Sequence, residues 1–211
     1  MSVWFTSDPH FGHQKIATER GFQSTEEHDE YLLGALVDQT HVGDQVWILG
    51  DLTIGGRAAE DRALAILSAA MGGRSLHLIP GNHDSCHPMT NRNSHNRTKA
   101  FYEVFDSVQL FARRRIAGET VLLSHFPYVG DHTAEDRGVQ FRLRDEGAWL
   151  LHGHTHSQER GPERTETHVW GGAEPLSTST AHRQIHVGWD AWGQPVELEE
   201  IARIIEGVTT E

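Results

Sequence analysis

The sequence predicts an α/β layered fold. Three observations carry that expectation. Short apolar runs rich in β-branched and aromatic residues recur along the chain, helix-period stretches separate the first three of them, and the later half returns to strand-like patterning. A chain of 211 residues with 37% hydrophobic content is long enough to bury one sizeable core, so a single domain over residues 1–211 is expected.

In order, SVWFTS (residues 2–7) reads as the first strand. STEEHDEYLLGALVDQ (24–39) follows as a helix, with Ser24 and Glu27 placed for a capping box and Leu32, Leu33, Leu36 and Val37 on one face. QVWILG (45–50) is a second strand. AAEDRALAILSAAM (58–71) is a second helix with Leu64, Ile66, Leu67 and Met71 along its stripe, and SLHLIP (75–80) is a third strand. FDSVQLFARRRIAGETVLLSHF (105–126) reads as successive strands with a tight turn at 117–120. AWLLHG (148–153) and RQIHVG (183–188) complete the strand-like runs. Between them, residues 128–147 are polar and without strong period, and connections of that length are commonly functional or mobile. The tail GWDAWGQPVELEEIARIIEG (188–207) predicts a turn or short strand, then a helix whose Ile201, Ile204 and Ile205 dock on a sheet.

Composition narrows the function. A net charge of −12 repels long polyanions, so no stable nucleic-acid complex is expected. The cations are sixteen arginines against Lys15 and Lys99, a bias that a GC-rich coding sequence would produce by itself. Cys86 is the single cysteine, so no internal disulfide forms and nothing calls for an oxidising compartment. No run approaches the ~18 apolar residues of a membrane span, and MSVWFTSDPHFGH turns polar too early for a secretory signal. A cytoplasmic protein without membrane attachment is expected.

The excess is in histidine, at sixteen, and it gathers where strands end. The first strand runs into SDPHFGH, placing Asp8 and His10 two apart, a spacing that on an extended segment projects both side chains to one face. The second runs into Asp51 and the third into Asn82, His83 and Asp84. The fourth gives His125. The fifth gives WLLHGHTHS, with His152, His154 and His156 within five residues. Three nearby imidazoles alone fit a metal site, a proton relay or a chance cluster, and each of the other residues has a turn or core role open to it. Together they fall at successive strand ends, where an open α/β sheet forms its ligand crevice.

The ordered set DPH, GD, GNHD, SH and GHTH resembles the five motifs of calcineurin-like metallophosphoesterases. DPHFGH and the tail HVGWDAWGQPVELEEI are similar to a compact bacterial and phage group within that superfamily. The resemblance implies a four-layer α-β-β-α sandwich of two mixed β-sheets flanked by helices. It also implies two divalent metal ions: one held by Asp8, His10 and His156, the other by Asn82, His125 and His154, with Asp51 bridging. His83 would protonate the leaving oxygen, and Asp84 would orient its imidazole and raise its pKa. His152 is left to a strand-end or outer hydrogen-bonding role. Ile54 departs from the family pattern, which often has an acid or amide there.

Two cations about 3.5 to 4 Å apart lower the pKa of a shared water and clamp the phosphoryl oxygens during in-line displacement. Mixed oxygen and nitrogen ligands suit Mn²⁺, the expected metal, with Fe, Zn²⁺, Ni²⁺ or Co²⁺ as alternatives. Phe11, Gly12 and His13 could form a substrate rim or merely pack and cap the next helix. Arg92, Arg97, Arg142 and Arg144 lie in polar connections that could border the pocket. The resemblance implies a phosphodiesterase for small phosphate esters, 2',3'-cyclic nucleotides among them. A phosphomonoesterase is the nearest alternative, then a nuclease, then a non-catalytic binding scaffold.

Overall fold

Phe5, Trp47 and Trp149 meet at the centre of the molecule because strand geometry sends alternate residues to opposite faces. The protein is seen in a computed structural model. It describes residues 1–89, 91–131, 137–170 and 175–209; for 163–170, 175–182 and 209 the description is confined to the backbone.

In the first sheet, β1 (Val3–Thr6), β2 (Gln45–Ile48), β3 (Ser75–Leu78) and β4 (Ser107–Val108) run parallel. β10 (Val196–Glu197) adds antiparallel to β1, giving the order β10-β1-β2-β3-β4. The second sheet has the order β5-β6-β7-β9-β8. Its strands are β5 (Ala112–Ile116), β6 (Glu119–Leu123), β7 (Trp149–His152), β8 (Pro162–Trp170) and β9 (Pro175–His186). Both sheets are mixed and flanked by helices, as the resemblance implies.

Period-two alternation divides the core. Val46 and Ile48 face the helices α2 (Thr25–Gln39) and α3 (Arg57–Ala70), joining Leu32, Leu36, Leu64 and Leu67. Trp47 and Leu49 face the other way, toward Val121, Leu123, Trp149, Leu151 and Ile185 of the second sheet. Ser24 caps α2 as expected, its Oγ accepting from the Glu27 N–H at 3.1 Å. Val37, expected on the buried face, is 36% exposed, since the buried stripe runs through His28, Asp29, Leu32 and Leu36. Ile201 and Ile205 of α6 (Leu198–Thr209) are buried in the inter-sheet cluster, and Ile204 packs against it. No helix among the described residues is long and apolar enough to cross a membrane.

The turn between β5 and β6 carries Ala117 and Gly118, both at positive φ (50° and 77°), the backbone twist that two-residue hairpins require. The β8–β9 hairpin, of which only the end of β9 was expected, and the helices α1 (Gln14–Glu19), α4 (Ser94–Phe101) and α5 (Trp189–Trp192) were not legible as apolar patterns. Within the long polar connection, residues 132–136 lie outside the described residues.

Candidate metal centre

The loops after β1, β2, β3, β6 and β7 converge at one edge of the two sheets. The Asp8 N–H donates to Gly50 O at 3.0 Å and the His10 N–H to Asp51 O at 3.1 Å, so the first two loops are stitched together. The Gly153 N–H donates to His125 O at 3.0 Å, stitching the fourth to the fifth. The backbone at the ligand positions is unusual. Asp8, His10, Asp51, His154 and His156 all sit at φ between 49° and 68°, and Ala117 is the sixth non-glycine residue with positive φ among the described residues. Side chains other than glycine pay for this region, and such strain concentrates where function dictates geometry.

This corrects the expected route to convergence. Asp8 and His10 lie beyond the end of β1 and do not share the face of an extended strand. Each takes a left-handed turn, and the same holds for His154 and His156 beyond β7. Asp8 and His10 do meet in one donor group, through turns, whereas His154 and His156 join different groups.

Asp8, His10 and His156 offer ligand atoms all within 4.8 Å of one another, and so do Asp51, His125 and His154. Asn82 Oδ1 lies 3.2 Å from His125 Nε2, on the second group. Asp51 Oδ2 stands between the groups, 3.5 Å from His125 Nε2 and 4.0 Å from His10 Nε2. Asp8 and Asp51 are buried, as are His10, His125 and His154. Both ring nitrogens of His10 are buried without a hydrogen-bond partner, a costly arrangement for a polar group unless an ion completes it. The His125 Nδ1 lies 2.7 Å from Leu49 O, which fixes the tautomer and leaves Nε2 facing Asp51. Nitrogen and oxygen donors without thiolate therefore fit a pair of divalent ions.

The electrostatics agree. Burial drives His10 well below its ordinary value, and burial together with the charge of His125 takes His154 down to about 3. Both rings are thus neutral at pH 7, the form that binds metal. Burial and the charge of Asp8 push Asp51 up to about 7. Burial also acts upward on Asp8, but the imidazoles of His125, His156, His10 and His186 outweigh it and hold that carboxyl well below the usual range.

His83 is the more accessible imidazole, its side chain 38% exposed and Nε2 4.0 Å from Asp51 Oδ2. Its Nδ1 lies 2.9 Å from the carbonyl of Ile54, so the departing position supplies a backbone acceptor where a polar side chain was absent. The expected orienting role of Asp84 is corrected. Its carboxylate is fully buried and accepts from the N–H groups of Asp51 (2.9 Å), Leu52 (3.0 Å) and Gly81 (2.8 Å), tying the second and third loops together. Gly81 must be glycine there, because a Cβ would overlap Asp51 Oδ1.

A layer of residues not expected at the site lies behind the first group. His156 Nδ1 is 2.8 Å from Asp190 Oδ2, leaving Nε2 for an ion. Arg20 grips the same carboxylate through Nε (3.1 Å) and Nη2 (2.9 Å), and donates to Asp8 O (2.8 Å) and Pro9 O (3.2 Å). One guanidinium therefore positions ligands from the first and fifth loops. His186, fully buried, places Nε2 3.8 Å from Asp8 Oδ2, and its ring lies 5.7 Å from that of His152. His152 itself is buried with Nδ1 2.8 Å from Gly153 O, an outer role as expected.

Of the rim residues, His13 borders the centre, its ring 5.3 Å from that of His10, whereas Phe11 is buried in the helix-side core. Gly12 donates its N–H to Asp29. Arg97 is spent on Glu60 at 3.0 Å and on Asp61, and exposed Arg144 pairs with Glu146 at 2.8 Å. Arg92 is exposed. The Arg142 side chain is 4% exposed and 3.7 Å from Asp131, whose carboxylate lies 3.4 Å from His154 Nε2.

Two ion-sized clusters, with Asp51 Oδ2 of one 4.0 Å from His10 Nε2 of the other and a partly exposed imidazole beside them, fit a hydrolytic centre of the two-metal kind. Residues 1–158 match the family model of calcineurin-like phosphoesterases, and the chain belongs to that family; it is a metal-dependent phosphoesterase. It is 43% identical to the Gene 66 protein of Mycobacterium phage L5 over 218 residues, covering 100% of this chain and 97% of that one. The Gene 66 protein of Mycobacterium phage D29 is likewise 43% identical, over 212 residues, covering 98% and 97%. A solved structure of a protein of unknown function from Aquifex aeolicus aligns with a TM-score of 0.63 and 21% identity over 96% of this chain and 98% of that one, a likeness of fold.

Proposed function

We propose that the protein hydrolyses phosphodiester bonds in small substrates, 2',3'-cyclic nucleotides among them, with two Mn²⁺ ions. The observation that carries this reading is the place of Asp51 Oδ2, between the two donor clusters and 4.0 Å from the His83 imidazole. Asp8, His10 and His156 would hold one ion and Asn82, His125 and His154 the other, with Asp51 reaching both. When bound, the ions supply Lewis-acid polarisation of the phosphoryl group and an activated water.

The chain's own residues do the rest. His83, braced by Ile54 O, delivers a proton from Nε2 to the departing oxygen. Asp190 and Arg20 keep His156 aimed into the centre. Asp84 holds the Asp51 loop at its fixed distance from the Asn82 loop.

Charge supports a diester over a monoester. The cleft above the centre, about 560 Å³, is bordered by Glu19, Asp51 and Asp190, and Lys15 is its one Lys or Arg among the described residues. A diester brings one negative charge where a monoester brings up to two, and the one Lys or Arg among the described lining residues, Lys15, is already paired with Glu19 at 3.5 Å, so beyond the ions that lining has no unpaired Lys or Arg for a second phosphate charge. With Mn²⁺ supplied, bis(4-nitrophenyl) phosphate is expected to turn over with at least about tenfold higher kcat/KM than 4-nitrophenyl phosphate, roughly one factor of ten per 1.4 kcal/mol of preference. The reverse order would make the protein a phosphomonoesterase.

A further inference from the structure

Beside the metal cleft lies a second cavity of about 340 Å³, and the two share the walls Glu19, Gln158 and Asp190. Asp190 is hydrogen-bonded to His156, so the side cavity begins one side chain away from the candidate metal ligands. Its far wall is aromatic. Phe22 and Tyr31 stand with ring centroids 5.3 Å apart, tilted by 47°, and Trp189 lies beneath. The Tyr31 hydroxyl donates to Gly193 O at 3.0 Å, fixing the ring at the mouth although half its surface is exposed.

The chemistry of these walls selects an occupant. Arg20 and Asp190 satisfy each other, which leaves the Gln158 amide and the Glu19 carboxylate, held among the described residues only by its exposed pair with Lys15 at 3.5 Å, to meet a ligand. An acidic seam is unsuited to a second phosphate. Aromatic faces with an amide and a carboxylate at one edge suit a flat, uncharged ring carrying hydrogen-bond donors and acceptors. The volume is of small-molecule size.

We propose that this side cavity is a nucleobase subsite, in which the base of a nucleotide diester stacks on Tyr31 and Phe22 while its phosphoryl group lies at the metal cleft. The inference rests on the phosphodiesterase reading and gives it a substrate class. The sugar spans the shared wall, and Gln158 and Glu19 meet the edge of the base.

The test compares two diesters that release the same chromophore, thymidine 5'-(4-nitrophenyl) phosphate and methyl 4-nitrophenyl phosphate, on the Mn²⁺-loaded protein. A stacked base is worth about a factor of ten or more, so the nucleoside ester should show at least that advantage in KM. Tyr31→Ala and Phe22→Ala should each erase most of it, leaving kcat/KM for the methyl ester within about twofold. Equal KM values in the wild type, or an advantage that survives both variants, would overturn the subsite and leave the phosphodiesterase reading standing. If neither ester is cleaved, that reading fails by itself. Thymidine titrated into the metal-free protein then decides the subsite: line broadening of thymidine resonances that Tyr31→Ala abolishes supports it, and its absence overturns it.

Discussion

The Nδ1 of His156 lies 2.8 Å from Oδ2 of Asp190, and Arg20 holds that carboxylate from the other side at 2.9 and 3.1 Å. Burial acts downward on His156, but the hydrogen bond to Asp190 and the charges of Asp8 and Asp190 raise it above its ordinary value, a more basic donor. Asp190→Asn should weaken binding at the first ion position about tenfold, within the 10–100-fold typical of such outer partners, while the second position changes far less. Isothermal titration with Mn²⁺ resolves the two, and equal weakening at both would show that Asp190 acts globally.

His83 and Asp84 are adjacent in sequence yet bond differently, His83 to Ile54 O and Asp84 to three backbone N–H groups. His83→Ala should keep its full metal content and lose about 10²-fold or more in turnover, the usual worth of a general acid. Metal analysis beside steady-state kinetics checks both halves of that statement.

Asp84→Ala should fail differently. It strands three N–H donors from Asp51, Leu52 and Gly81 in the interior, a loss on the order of 2–5 kcal/mol. Chemical denaturation measures it. A stable variant with low turnover would instead restore Asp84 to catalysis.

Metal loading should depend on pH with a definite sign. Asp51 is pushed up to about 7, first by burial and then by Asp8, so below pH 7 a proton must leave before an ion binds. His156, raised above its ordinary value, adds to this, whereas His10 and His154 are already neutral and contribute nothing. Affinity should rise as the pH passes through 7, with more protons released per pair of ions at pH 6 than at pH 8. Titration in buffers of different ionisation heat counts the protons. A constant count would contradict the raised Asp51.

The left-handed residue outside the site among those described offers a control for strain. Ala117 sits at φ 50° in the β5–β6 turn, and Ala117→Gly should stabilise the protein by about 0.5–1 kcal/mol with activity unchanged. Equilibrium unfolding detects the gain.

What could be read from the sequence follows from what each residue type advertises. Asp8, His10, Asp51, Asn82, His125, His154 and His156 stood out because metal-binding types at strand ends are rare by chance. The i, i+2 spacing anticipated the meeting of Asp8 and His10, although left-handed turns rather than an extended strand bring them together, and it did not foretell that His154 and His156 join different groups. His186 and Asp190 lie in the tail HVGWDAWGQPVELEEI but were not singled out there as site residues, and an arginine such as Arg20 that meets an aspartate 170 positions away leaves no local trace. The β8–β9 hairpin escaped notice because its Ser- and Thr-rich sequence lacks apolar alternation. Asp84 was misread because neighbours in sequence need not be neighbours in hydrogen bonding.

The account depends on two ions meeting at Asp51. Diffraction from crystals grown with Mn²⁺, with anomalous data at the manganese edge, should show two peaks about 3.5 to 4 Å apart on either side of the Asp51 carboxylate. A single peak, or two peaks that Asp51 does not touch, would contradict it.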